Sequence, residues 1–276
     1  MAEIRHHTGH RLPVRTPRAF PVHEGKRFLV TGAGGGIGQA TVDLLVREGA
    51  RVVAADVVEQ TALADRLGGA ERGVHAIAVD LRDETSVRDA AARSVELLGG
   101  IDGLANVAGI VKMAPALDHE RPLWEDQFAV NVFGPFDLAR LVVRHMIEQG
   151  VAGAVVNVAS EAGKQGHPGM IAYNASKAAV INWTRVAAAE WAPHGINVNC
   201  VCPGGVATAM LHQVADNHAR GSETDAASFF EIMSNEQLGR HIDPTEVASV
   251  ISFLLTDRVQ AVRGQSVNVD GGGSPY

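Results

Sequence analysis

Tyr173 and Lys177 stand four residues apart, with Ser160 a short way upstream, so a hydroxyl, a phenol and an ammonium are candidates to share one proton. On a helix, positions four apart lie on the same face, one turn from each other. A free tyrosine titrates near ~10 and is a poor base at neutral pH; bringing that value to near 7 needs roughly 4 kcal/mol of preference for the phenolate. A fixed lysine cation beside the ring acts in that direction. Tyr173 is then expected to take a proton from an alcohol or return one to a carbonyl, while Ser160 hydrogen-bonds the substrate oxygen. Tyrosine and lysine also fall four apart on many helices by chance, so the weight rests on the elements around the pair.

Those elements are legible. Residues 154–159, Ala-Val-Val-Asn-Val-Ala, read as a buried strand that delivers Ser160 at its end. The Gly/Pro-rich stretch 161–169 can fold the serine back toward the tyrosine, and the Ala-rich stretch 170–192 is long enough for a six-turn helix. Upstream, Phe28-Leu29-Val30 is a short apolar strand. It runs into Thr31-Gly32-Ala33-Gly34-Gly35-Gly36-Ile37-Gly38, then an amphipathic helix to about Glu48 and a second strand, 51–56, that closes on Asp56. Strand, glycine turn, helix, strand and acid within about thirty residues form the dinucleotide-binding arrangement. The glycines let the backbone turn tightly and approach a pyrophosphate, and the helix N-terminus offers free N–H groups at the positive end of its dipole. The key positions, Gly32, Gly36 and Gly38, depart from G-x-G-x-x-G, and their placement between strand and helix carries the assignment. A carboxylate at Asp56 accepts hydrogen bonds from ribose hydroxyls and repels a 2′-phosphate. No Arg or Lys lies within residues 31–38, so NAD is favoured over NADP.

The alternation continues. Further strands are expected at 75–79, ending at Asp80-Leu81, at 103–106, at 153–159, at 196–201 and at 265–269. Helices are expected over 84–98, 121–149, 170–192, 208–236 and 244–256. Repeated βα units with right-handed crossovers give one α/β domain over residues 26–276, a doubly wound, Rossmann-like parallel sheet with helices on both faces. Ligands bind such sheets outside the carboxyl ends of the strands, where strand order reverses. Asn106, Ser160 and the 202–208 turn all follow strand ends and should meet there.

Composition excludes other classes. Of 276 residues, 46% are hydrophobic and 20% charged, which is ordinary for a globular protein. No apolar run reaches a membrane span, and a net charge of −7 argues against nucleic acid and anionic membrane surfaces. Cys200 and Cys202, two apart on a strand, point to one face and read as small buried apolar residues in a reducing, cytoplasmic setting. Residues 1–25 hold His6, His7, His10, His23 and four arginines without an apolar segment. They are expected to form a flexible extension or an arm on a neighbouring subunit, and no metal is assigned to them.

Taken in order and spacing, Thr31-Gly32-x-x-x-Gly36-Ile37-Gly38, Asn106-Val107-Ala108-Gly109, Asn131, Ser160, Tyr173-x-x-x-Lys177 and Pro203-Gly204 resemble the short-chain dehydrogenase/reductase family over residues 26–273. The resemblance implies that Tyr173 is the acid/base, that Lys177 lowers its pKa and binds the nicotinamide ribose, and that Ser160 orients the substrate oxygen. It implies a proton-relaying water held by Asn131, and a cofactor pocket drawn from Gly32, Gly36, Ile37, Gly38, Asp56, Asp80, Leu81, Asn106, Ala108, Gly109, Pro203, Gly204, Val206 and Thr208. Asp80 would lie by the adenine, and Val206 and Thr208 by the nicotinamide carboxamide. Val107 and Gly205 depart from the usual pattern without removing a catalytic group. Asn131 also reads as a structural amide and Thr208 as a helix cap, while His167 reads as a surface loop histidine, with contact to substrate as the alternative.

The leading expectation is an NAD-dependent dehydrogenase interconverting a secondary alcohol and its ketone. An NADPH-type carbonyl or 3-oxoacyl reductase and a non-catalytic dinucleotide sensor are the alternatives. Residues 209–242 should form a lid over a medium-sized, partly apolar substrate, and helices 121–149 and 170–192 should build a homotetramer or dimer interface, as the matching pair does in the family.

Overall fold

The computed structural model describes residues 11–14, 20–220 and 222–274. Seven strands form one parallel sheet: β1 (Arg27–Thr31), β2 (Arg51–Asp56), β3 (Val74–Ala78), β4 (Gly103–Asn106), β5 (Ala154–Val158), β6 (Asn197–Pro203) and β7 (Ser266–Val269). Their order is β3-β2-β1-β4-β5-β6-β7, so the chain reverses direction of growth between β1 and β4. That reversal opens a crevice at the carboxyl ends of the central strands, where Thr31 lies opposite Asn106 and Asn106 opposite Asn157.

The strands are near-continuous apolar runs because both faces are covered. Alternate residues serve opposite faces. Phe28, Val30, Val52 and Val156 pack with Val42 and Leu45 of α1 (Gly36–Arg47) and Val247, Ile251 and Leu254 of α9 (Pro244–Leu255). Leu29, Val53, Leu104 and Val155 pack with Val87 and Leu98 of α3 (Glu84–Leu98), and with Leu138, Val142 and Met146 of α5 (Gly134–Glu148). The Ala-rich α6 (Ile171–Trp191) lies on this second face, buries Ala172, Ser176, Lys177, Val180, Ile181 and Thr184 along one side, and ends just before Pro193 and the left-handed Gly195.

Three readings change. The expected helix over 121–149 is α4 (Arg121–Phe128), a π-turn at Ala129–Phe133, and α5. Pro135 has no N–H to give the carbonyl of Asn131 four residues earlier, so the regular ladder cannot run through this point. The expected helix over 208–236 is α7 (Ala209–Ala219) and α8 (Ala226–Ile232), with Asp225 capping the second through Ser228 N. From Met233 the chain is irregular, pinned by bridges between Asn235 and Arg240 and between Val206 and Ile242. A short α2 (Thr61–Arg66) was not anticipated.

Packing also begins before residue 26. His23 is buried, edge-on to Phe28 at 4.9 Å, and its Nε2 lies 3.1 Å from Ser252 Oγ on α9. Leu12 lies on the same chain's 238–240 segment, donating to Leu238 O and accepting from Arg240 Nε. His6, His7 and His10 fall outside the described residues.

Candidate active site

The dinucleotide cradle starts where β1 ends. Gly32 has φ +69°, and a Cβ on Gly38 would lie 1.9 Å from Gly32 O, so the loop closes only without side chains at these two positions. No side chain caps the first turn of α1 from Gly35, leaving its amides to an anion. Thr31 Oγ1 accepts from Val107 N and Ala108 N, which stitches the β1 turn to the β4 turn across the crevice. Asp56 lies at the end of β2 with its carboxylate against the glycine loop, accepting from Gly34 N at 2.8 Å and Val57 N at 2.7 Å. An open amide cradle beside a strand-end carboxylate fits an adenosine pyrophosphate.

Other expected cofactor residues play more structural parts. The Asp80 carboxylate is gripped by Arg82 at 2.9 and 2.8 Å, and this holds its pKa below the usual range. Leu81 packs under Gly134, where a Cβ would meet Leu81 O. Asn106 points into the sheet interior, donating to Pro135 O and Asn157 Oδ1. Asn157 in turn donates to Thr184 Oγ1, a buried polar chain tying β4 and β5 to α6. Thr184 is seven residues beyond Lys177 and so shares its helix face, a spacing visible in the sequence.

On α6, Tyr173 and Lys177 do meet. Lys177 is 3% exposed; its Nζ lies 5.7 Å from the Tyr173 ring centroid and donates to Val158 O at 2.9 Å. Burial brings its pKa down to about 8. The Ser160 Oγ accepts from Ala162 N and lies near enough to the Tyr173 phenol to favour its phenolate. The expected loosening of the phenol is absent from the chain on its own. Burial, the largest influence, raises the Tyr173 pKa; the Ser160 hydroxyl opposes it, and the charge of Glu161 adds to the rise. Asn131 Oδ1 accepts from Ile110 N, and its Nδ2 donates to Ile110 O and Ser176 Oγ, so the side chain is a clamp on the β4 turn. Its main-chain carbonyl receives no i+4 N–H, because residue 135 is proline.

These groups open on a cavity of about 680 Å³. Ile37, Gly109, Ser160, Tyr173, Lys177, Pro203, Gly204, Val206 and Thr208 line it, together with Met210, Leu211 and Met233 from the lid segment. Gly36 sits directly behind Thr208, and a Cβ on Gly109 would lie 3.2 Å from Lys177 Nζ. Within the lid segment, Phe229 and Phe230 stack on His218 at 5.6 Å and on His212 at 4.0 Å. His167 lines the cavity rather than the outer surface. Glu161, next to Ser160 and marked by no motif, lines it too, and burial together with Asp270 lifts its pKa to about 6. Among the described residues, no group of three or more His, Cys, Asp or Glu is arranged to hold a metal.

Sheet order, glycine cradle and acidic strand end define a dinucleotide-binding α/β enzyme. Residues 26–219 match the family model for short chain dehydrogenase, and the chain belongs to the short-chain dehydrogenase/reductase family. It is 37% identical over 251 residues to 3-oxoacyl-(acyl-carrier-protein) reductase FabG of Thermotoga maritima, covering 90% of this chain and 98% of that one. It is 36% identical over 252 residues to D-threitol dehydrogenase of Mycolicibacterium smegmatis, covering 90% and 93%. Among solved structures, a variant of actinorhodin polyketide ketoreductase with NADPH superposes with a TM-score of 0.85 at 30% identity, covering 94% of this chain and all of that one. The protein is an oxidoreductase of alcohols and ketones that uses a nicotinamide dinucleotide, and the non-catalytic reading falls.

Proposed function

We propose that the protein is an NAD-dependent dehydrogenase acting on a secondary alcohol, with Ser160, Tyr173, Lys177 and Asn131 as its proton-transfer site. The observation that carries this is the meeting of the Tyr173 phenol, the Ser160 hydroxyl and the Lys177 ammonium in one cavity beside the glycine cradle. Bound, the nicotinamide accepts or donates hydride; the chain manages the proton. The Ser160 hydroxyl and the Tyr173 phenol hold the substrate oxygen between them, and Tyr173 takes the carbinol proton as it leaves. Lys177, charged at neutral pH and close to the ring, stabilises the phenolate as it forms. A water on the Asn131 carbonyl passes the proton toward solvent, leaving Tyr173 ready for the next cycle.

Asp56 supports NAD. A 2′-phosphate beside it would place like charges together in a half-buried corner. The likeness to FabG and to a ketoreductase solved with NADPH favours a second reading, reduction of a 3-oxoacyl group with NADPH. A nicotinamide-absorbance screen of secondary alcohols and 3-oxoacyl thioesters, with NAD(H) and NADP(H), separates the two. Run beside it, Tyr173→Phe should lose ~10²- to 10⁴-fold in kcat. A variant as active as the parent would sink the assigned site.

We further propose a homotetramer or dimer through α4, α5 and α6, supported by exposed Phe133, Phe136, Ile147, Ile171 and Val186; a monomer in light scattering would contradict it. A cytoplasmic location is supported by the free buried thiols of Cys200 and Cys202. No helix among the described residues is long and apolar enough to cross a membrane.

A further inference from the structure

Glu161 brings a carboxylate into a pocket that already holds Ser160, Tyr173 and Lys177. Its carboxylate lines the cavity one residue beyond Ser160, close enough for its charge to be felt at the Tyr173 phenol. One oxygen lies against the Pro203-Gly204 turn, 3.2 Å from where a Cβ of Gly204 would be. The other faces His167 Nε2 at 3.8 Å, beyond hydrogen-bond distance. Among the described residues, no backbone or side-chain donor reaches either oxygen. The neighbouring Asp270 shows the contrast: its two oxygens accept from Gly272 N and Ser274 N and are consumed by the turn they hold.

A half-buried carboxylate without donors is costly unless something supplies them. We propose that Glu161 is a specificity residue, accepting a hydrogen bond from a second hydroxyl of a diol or polyol whose first hydroxyl lies between Ser160 and Tyr173. A neutral hydroxyl suits the site better than an ammonium, which would bring a second desolvated charge into a pocket that already holds Lys177. The carbon skeleton between the hydroxyls has Val206, Leu211, Val214 and Met233 to lie against. This inference rests on the alcohol dehydrogenase reading.

The test compares the parent with Glu161→Leu and Glu161→Gln on cyclohexanol and trans-1,2-cyclohexanediol with NAD. The parent should prefer the diol. In Glu161→Leu the ratio of kcat/KM for diol to that for cyclohexanol should fall about 10- to 100-fold, carried by the KM of the diol, as expected for a hydrogen bond to a charged group. Glu161→Gln keeps an acceptor oxygen but loses the charge, so its ratio should fall between those of the parent and Glu161→Leu, near the value the parent reaches below about pH 6. The groups facing Glu161 are Asp270, His167 and Tyr173. Tyr173 serves both substrates, so its titration cancels in the ratio. The parent's ratio should therefore fall as pH drops through about 6, where Glu161 protonates, and stay flat in Glu161→Gln. A ratio in Glu161→Leu within twofold of the parent overturns the inference alone. No turnover of either alcohol by the parent overturns the dehydrogenase reading with it. A cationic amino alcohol preferred over the diol overturns the hydroxyl assignment.

Discussion

His23 makes the stability of this enzyme depend on pH in a calculable way. It is 1% exposed, between Phe28 and α9, and its Nε2 meets Ser252 Oγ, whose own proton goes to Glu48 Oε2 at 2.5 Å. The serine can therefore only accept from the histidine, and the ring is held as the neutral Nε2–H form. Burial brings its pKa down from 6.5 to about 4. Between those values the unfolded chain binds a proton that the folded one refuses, so stability is complete above about 6.5 and falls as pH drops to about 4. The full gap corresponds to about 3 kcal/mol. Glu48 opposes this: burial raises its pKa, so the folded form binds its proton more readily than the unfolded form and gains stability as pH falls. The parent's slope is thus a partial cancellation. His23→Gln keeps a donor for Ser252 and removes the titration, so urea unfolding of both proteins at steps from pH 7.5 to 4.5 isolates the histidine. The variant should lose less stability on acidification than the parent, the difference growing toward about 3 kcal/mol. Parallel curves would show that His23 protonates without cost and refute the reasoning.

Other outcomes follow from the same geometry. Because burial raises the Tyr173 pKa, alcohol oxidation, which needs the phenolate, should quicken from neutral into alkaline pH, while ketone reduction, which needs the phenol, should not; initial rates in both directions across pH 6 to 10 check this, and an oxidation rate flat with pH would count against the tyrosine as base. Arg240 is buried, donates to both oxygens of Glu246 at 2.7 and 2.9 Å, and reaches the carbonyls of Leu12 and His241. Arg240→Ala should cost about 2–3 kcal/mol in urea unfolding, somewhat below a fully buried pair because Glu246 is partly exposed, and should raise substrate KM by loosening 233–242; an unchanged midpoint would contradict it.

The elements themselves were written locally. Apolar runs of strand length, a glycine turn ahead of an amphipathic stretch, and an Ala-rich segment bounded by glycines and a proline each follow from residue type and spacing over a few residues. Seven of them in alternation leave few topologies. Tyr173 and Lys177 shared a face as soon as 170–192 was helical, and Ser160 had to emerge at a strand end. What spacing could not supply was the environment of those groups. Whether the tyrosine's pKa rises or falls depends on how much water the sheet and lid exclude, and on a bond from Lys177 to Val158 that only the assembled sheet provides. The turning of Phe229 and Phe230 onto histidines, the burial of His23 on a helix more than two hundred residues away, and the exposure of the Glu161 carboxylate to the cavity are likewise contacts between distant segments. Sequence determined which groups arrive at the crevice, because periodicity is a local property. Tertiary structure decided which of them are satisfied there and which are left with a hydrogen bond to give or take, because desolvation is a property of everything around a group at once.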